Sequence, residues 1–159
     1  MADEKQVAML RHSVTTWNKS RGGRLSSRGD ANLAGADLKW TDLRHANLSG
    51  ANLAEADLTG ADLRHADLSE ADLTAADLSG ADLREANLSG AELAHANLSG
   101  ADLRRADLTG AELKQAVLEK ADLMGAELTG ARLVGAHLAG AIFSSADLMK
   151  ARGARKKPG

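Results

Sequence analysis

The chain of 159 residues contains no cysteine. Disulfides and thiolate metal sites are therefore excluded, and a reducing compartment suits it. Aromatic residues are nearly as scarce: Trp17, Trp40 and Phe143 are the whole complement. Globular cores usually take much of their bulk from aromatic rings, so this core must be assembled from smaller pieces. No apolar run is long enough to cross a bilayer. The opening residues, MADEKQVAML, are charged and carry no secretory signal. The expectation is one soluble cytoplasmic domain without membrane association.

What is present is a five-residue word. From Ala31 to Lys150 the sequence divides, without insertion or deletion, into 24 pentads. Residues 81–90, ADLREANLSG, are a representative pair. The first position is alanine everywhere except Thr41, and the third is leucine everywhere except Phe143. The second is mostly Asp, Asn or Glu. The last two are mainly Ser, Thr, Gly, Arg and other polar residues.

Neither regular secondary structure accommodates this period. Five residues of α-helix advance about 500°, so successive leucines would smear around the cylinder. In a straight strand the Ala and Leu of one pentad share a face, but the next pair, offset by an odd number, lands on the opposite one. The pattern works only if the chain turns a corner once per pentad, and Ser, Gly, Asn and Asp suit such corners. Four corners close a square coil of 20 residues. Written in rows of 20, the sequence shows columns: Arg44, Arg64, Arg84 and Arg104; Ser49, Ser69, Ser89, Thr109 and Thr129; Asp42, Asp62, Asp82, Asp102 and Asp122. Duplication of a 20-residue unit would produce the same columns.

The word A(D/N)L(S/T/R)X resembles that of the pentapeptide repeat family, found in bacteria and elsewhere. The resemblance covers residues 31–150. It implies an all-β solenoid, a right-handed quadrilateral parallel β-helix of about six coils. The first and third residues, such as Ala81 and Leu83, would point inward. At β-spacing, six coils make a shaft of ~29 Å.

A stacked coil has exposed ends that invite aggregation unless covered. Asp3 can N-cap a helix with Gln6 completing a capping-box-like pair. Val7, Leu10, Val14 and Trp17 form one apolar stripe, and Gly22 and Gly23 end it. Residues 1–30 are thus read as an N-terminal capping α-helix (4–20) plus a linker, with an amphipathic membrane helix as the rival reading. Some members of the family similarly begin with a short helix carrying a Trp-Asn pair, here Trp17-Asn18. Arg28-Gly29-Asp30 matches an integrin-binding tripeptide, taken as coincidence. Residues 151–159 read as a disordered basic tail, and no C-terminal capping helix is expected. Val117, Met124, Val134, Ile142 and Met149 put apolar residues at outward positions of the last two coils, and Phe143 replaces an inward leucine. Two readings stand: a relaxed repeat near its end, or a collar through which the C-terminal coil stacks on a second copy or another protein.

Catalysis is not expected. No Ser-His-Asp arrangement, phosphate loop or concave site is recognisable, and no cofactor or metal is called for. His45 and His65 share a column one coil apart. Two ligands are too few for a metal site, and solvent-exposed rings are the preferred reading. His12, His95 and His137 stand elsewhere. The repeat segment 31–150 holds 19 acids and 10 bases, a net charge of −9, while residues 1–30 carry +3 and the tail +4. On the third side (pentads beginning at 41, 61, 81 and so on) the Arg and Asp ladders interleave, which relieves like-charge stacking. A phosphate-binding stripe is the alternative there. The fourth side (46, 66, 86 and so on) has Asp67, Glu70, Asp107, Glu127 and Asp147 against one base, Lys150. These acids, with Met124, Ile142 and Phe143 at the C-terminal end, are the candidate interaction residues.

The expected function is a rod-like scaffold or interaction module for a protein partner of unknown identity, with no direct nucleic-acid contact. The resemblance supplies an alternative, because some family members mimic double-stranded DNA and act on DNA gyrase or topoisomerase IV to protect against quinolones. A duplex of ~29 Å carries ~17 charges, roughly twice the charge on this shaft. The uninterrupted repeat also lacks the projecting loops of some gyrase-protecting members.

Overall fold

A pentad has five backbone amides, and where each of them goes determines the architecture. A computed structural model describes residues 1–22 and 31–151. Within it, the second residue of each pentad bridges in parallel to its equivalent 20 residues on, from Asn32↔Asn52 through Asp122↔Ile142. The pentad 81–85 shows the pattern. Leu83 N–H donates to the Asp102 carbonyl (2.8 Å) and Glu85 N–H to the Arg104 carbonyl (3.1 Å), both one coil ahead. Asp82 N–H donates one coil back, to Ala61 (3.0 Å). Ala86 N–H closes the corner on the Leu83 carbonyl (3.1 Å). The remaining amide, Arg84 N–H, donates to the Asp82 carboxylate (3.3 Å). Every amide has an acceptor, as buried backbone requires.

The corner is a β-turn with a left-handed third residue, the type II signature. From Gly35 to Gly140 the fifth residue of every pentad has φ between 55° and 73°. Glycine accepts this freely, and half of these positions are glycine. The others hold His, Glu, Trp, Ala, Arg, Gln or Lys, at a cost of about 1–2 kcal/mol each. With two of five residues in the turn, a side of the coil has only three left. Among the described residues no extended strand forms; each pentad contributes one bridging residue. The all-β expectation is met as a ladder of bridges rather than of strands.

Ala and Leu point inward throughout. The leucines from Leu33 to Leu118 are fully buried, and alanine lines the spaces between them. The core therefore reaches close packing through many identical small contacts rather than large rings. Trp17 is the one aromatic residue fully buried.

The N-terminal segment differs from the single helix 4–20 expected from its stripe. It forms α1 (Glu4–His12) and α2 (Val14–Arg21), separated at Ser13. Ser13 is extended, and its hydroxyl accepts from Thr16 N–H (3.2 Å), so it ends one helix and caps the next. The run Val14-Thr15-Thr16 propagates a helix poorly, which makes a restart there inexpensive. Asp3 does cap α1, accepting from Lys5 and Gln6 N–H. The other half of the expected capping box goes to the coil instead. Asp3 N–H donates to the Asn32 carbonyl (2.8 Å), and Gln6 Oε1 accepts from Asn32 N–H (2.8 Å).

Val7, Leu10 and Trp17 are buried and Val14 packs beside them. Their polar neighbours bind the edge of the first coil. Trp17 Nε1 donates to the Asn47 carbonyl (2.7 Å). Asn18 donates through Nδ2 to the His45 carbonyl (2.9 Å) and accepts from Asn47 N–H (2.8 Å). Arg21 donates to the Ser49 carbonyl. Gly22 ends α2 by donating to Asn18. Gly23 and Arg28-Gly29-Asp30 lie outside the described residues, as do residues 152–159 of the basic tail.

At the other end the repeat stops sooner than its spelling. The final pentad is helical, and α3 (Ser145–Lys150) contradicts the expectation that no helix would stand there. The cause is local. Ser144 Oγ accepts from Asp147 N–H (3.2 Å), the N-cap bond, and donates to the Asp147 carboxylate (2.5 Å). Where the coil would have continued, the Lys150 carbonyl instead accepts from Gly130 N–H (3.1 Å). Ala136, Leu138 and Phe143 are consequently only part-buried.

Candidate interaction surfaces

The third side carries an ion-pair zipper. Arg44, Arg64, Arg84 and Arg104 each grip the Asp two residues earlier in two-pronged fashion, with Nε contacts of 2.8 Å. The same guanidinium reaches the Asp of the next coil: Arg44–Asp62 3.6 Å, Arg64–Asp82 3.5 Å, Arg84–Asp102 3.6 Å and Arg104–Asp122 3.7 Å. The chain of contacts runs unbroken from Asp42 to Asp122. Hydrogen bonding from Arg44 holds the Asp42 carboxyl at about 2, below an ordinary value of 3.8. Asp62 and Asp102 are lowered likewise by their own arginines. With Nε and one terminal nitrogen of each guanidinium engaged by carboxylates, these arginines favour the structural reading over a phosphate stripe.

On the fourth side the acids are anchored locally. Asp67 accepts from Ser69 N–H (3.0 Å), Ser69 Oγ (2.7 Å) and the Asn87 carboxamide (3.2 Å). Asp107 accepts from Thr109 N–H (2.9 Å). Glu127 accepts from Thr129 N–H (3.2 Å) and pairs with Lys150 (3.2 Å). Glu70 is exposed, its stem beside Gly90. Asp147 does not join this column: it belongs to the first turn of α3.

At the C-terminal end Met124, Val134, Ile142 and Met149 are exposed, while Phe143 packs part-buried against the last leucines. His45 and His65 stack in parallel at 5.0 Å between ring centroids, and His65 Nδ1 lies 3.5 Å from Glu85. Parallel rings aim their in-plane nitrogen lone pairs side by side rather than at a shared ion. Among the described residues no group of three potential ligands assembles. A groove of about 560 Å³ between α1 and the first coils is lined by Val7, Arg11, Asp37 and Glu55 among others. The Arg11–Asp37 pair (3.6 Å) lies across it.

Sequence reasoning passes over Trp40. It is 75% exposed, at a corner where other coils place Gly60, Gly80, Gly100, Lys120 and Gly140. The signal was available in the same columns that displayed the arginines.

A four-sided solenoid with one bridging residue per side and an Ala/Leu interior defines a class of repeat protein. The family model "Pentapeptide repeats" matches in eight copies, in overlapping stretches from 31–69 to 125–152, and the chain belongs to the pentapeptide repeat family, whose members fold as right-handed quadrilateral β-helices. It is similar to the pentapeptide repeat protein Rfr23 from the cyanobacterium Cyanothece 51142, at 45% identity over 56% of this chain and 60% of that one, with a TM-score of 0.55. The chain thus spans less than two thirds of Rfr23. Another similar structure, a pentapeptide repeat protein of the Arabidopsis thaliana thylakoid lumen, shares 34% identity over 65% of this chain and 66% of that one, TM-score 0.43. QnrB1, a plasmid-mediated fluoroquinolone resistance protein, shares 32% over 65% and 56%, TM-score 0.40. No curated protein matches the chain.

The zipper sets an acid limit. A carboxyl whose folded pKa is depressed stabilises the fold above its unfolded pKa, and that contribution disappears as pH falls through the folded value. Melting temperature should therefore drop between pH 4 and about 2, the window set by Asp42. Arg64→Ala with Arg84→Ala should lower Tm at neutral pH by about 2–4 °C and flatten the acid drop. An unchanged acid profile in thermal melts would show that the zipper is not a stabilising network.

Proposed function

We propose that the chain is a non-catalytic interaction rod of about six coils, covered at one end by α1 and α2 and ending at the other in the short α3. The supporting observation is where its polar groups go. Position-two acids cap turns, the arginines pair with acids, and the remaining side chains stand on convex sides rather than around a reaction site. Such a surface suits docking better than chemistry.

The fourth side is the proposed contact for a basic protein partner, because Asp67, Glu70 and Asp107 keep their charge outward there with no arginine ladder between them. The exposed apolar residues Met124 and Ile142, with part-buried Phe143 beside them, are the proposed contact for a second copy. No cofactor, metal, membrane or direct nucleic-acid contact enters this reading, and the protein works in the cytoplasm.

DNA mimicry is the competing function, favoured by the net charge of −9. Against it, the third side is neutralised along most of its length, which leaves the acidic potential on fewer sides than a duplex presents. A gyrase supercoiling assay, with and without a quinolone, separates the two. The expected result is unchanged supercoiling and unchanged quinolone sensitivity at large molar excess of the purified protein. Inhibition or protection at stoichiometric levels would replace the interaction rod with a topoisomerase modulator.

A further inference from the structure

We infer that Trp40 and the glycine corner beside it form a recognition site for an arginine-bearing segment of a partner protein. This rests on the reading of the chain as an interaction rod, but on residues outside the fourth side.

Folding does not account for Trp40. Its φ is 55°, a conformation that burdens a bulky residue and leaves glycine untroubled. The residue is three-quarters exposed, so burial returns little of that cost. The same corner is glycine 20, 40 and 60 residues later and lysine 80 residues later, so no other coil places an aromatic ring there. A strained, exposed aromatic residue in such a place points to use rather than to packing.

The ring is nevertheless held in place. Trp40 N–H donates to the Thr59 carbonyl (3.0 Å), and the six-membered half of the indole covers Gly60, where any Cβ would overlap it. The indole thus lies against the next coil while most of the residue meets solvent. Further along, the space over Gly80 and Gly100 is open to 4 Å and more, so the corner continues as a track without side chains. A peptide could lie along this track with one side chain stacked on the indole.

Charge selects that side chain. Before the corner stand Asp37, Asp57 and Asp77; the aspartates after it, Asp42, Asp62, Asp82 and Asp102, are engaged by the arginine zipper, and Asp37 pairs with Arg11. Lys39 pairs with Asp57 (3.1 Å). Asp77, by contrast, is held by neutral donors, Ser79 N–H (2.9 Å) and the Asn97 carboxamide (3.2 Å). The shaft as a whole, at −9, repels anions and draws cations. A guanidinium matches both components, stacking flat on an indole and donating to a carboxylate. An ammonium makes the weaker fit because it cannot stack.

Only two tryptophans are present and Trp17 is fully buried, so a ligand-dependent change in emission that is absent from Trp40→Gly, which keeps Trp17, belongs to Trp40. A blocked tetra-arginine peptide should change the emission saturably, and a blocked tetra-glutamate peptide should not. By calorimetry, Trp40→Gly should weaken tetra-arginine binding about fivefold. That variant reproduces the corner of the later coils, so the fold is retained. Glu70→Gln with Asp107→Asn should leave affinity within about twofold. Equal binding by wild type and Trp40→Gly overturns the inference, as does no binding to wild type. Loss confined to the Glu70/Asp107 variant also overturns it, while leaving the fourth side as the contact for a basic partner.

Discussion

The structure depends on one constraint: a corner every five residues with its last residue left-handed. That corner returns alanine and leucine to the axis and fixes the 20-residue register of the ladder. It also creates one amide, at position four, that neither neighbouring coil can accept. The side chain at position two supplies the missing acceptor. Asp and Asn do so in Asp37–Lys39, Asn52–Ala54, Asp77–Ser79 and Asn97–Ser99, among others. The acidity of the shaft is therefore in large part a by-product of its turns. A strongly negative surface is weaker evidence of mimicry here than it would be on a globular domain.

The same bookkeeping explains why the two ends differ. At the N-terminus a coil edge meets side chains shaped to it: Gln6, Trp17, Asn18 and Arg21 each bond its backbone. Toward the C-terminus position two becomes Val117, Arg132 and Ile142, none of which offers an oxygen to the turn amide. Corner support weakens in the same coils where leucine burial declines. In a solenoid whose stability is a sum over neighbours, that gradient places the softest part of the rod beside its most apolar surface.

Much of this was legible from period alone. The inward Ala and Leu columns, the turn glycines, the stacked His45 and His65, and the apolar stripe Val7–Leu10–Trp17 all follow from counting in fives and twenties. The exceptions share a physical cause: a local hydrogen bond outweighed the periodic pattern. Ser13 divided one stripe between two helices without moving the stripe. Ser144 and Asp147 drew the last pentad into α3, although Ala146 and Leu148 still spell the repeat, and took Asp147 out of the acidic column. Trp40 escaped notice for the opposite reason. It leaves the Ala and Leu pattern intact, and its departure shows only in a corner column that is otherwise mostly glycine and in its exposure and its seat on Gly60.

Residue-resolved amide hydrogen exchange tests the central claim most directly. In coils with a neighbour on each side, amides at positions one, two, three and five bond to backbone within or between coils, whereas the position-four amide bonds only to a side chain at the surface. Protection should therefore repeat every five residues with its minimum at position four. It should hold from the first coil, under α1 and α2, and fade through the coil that begins at 131. Protection without a five-residue period, or lower protection in the first coil than in the last, would contradict a ladder closed by left-handed corners and covered at its N-terminal end.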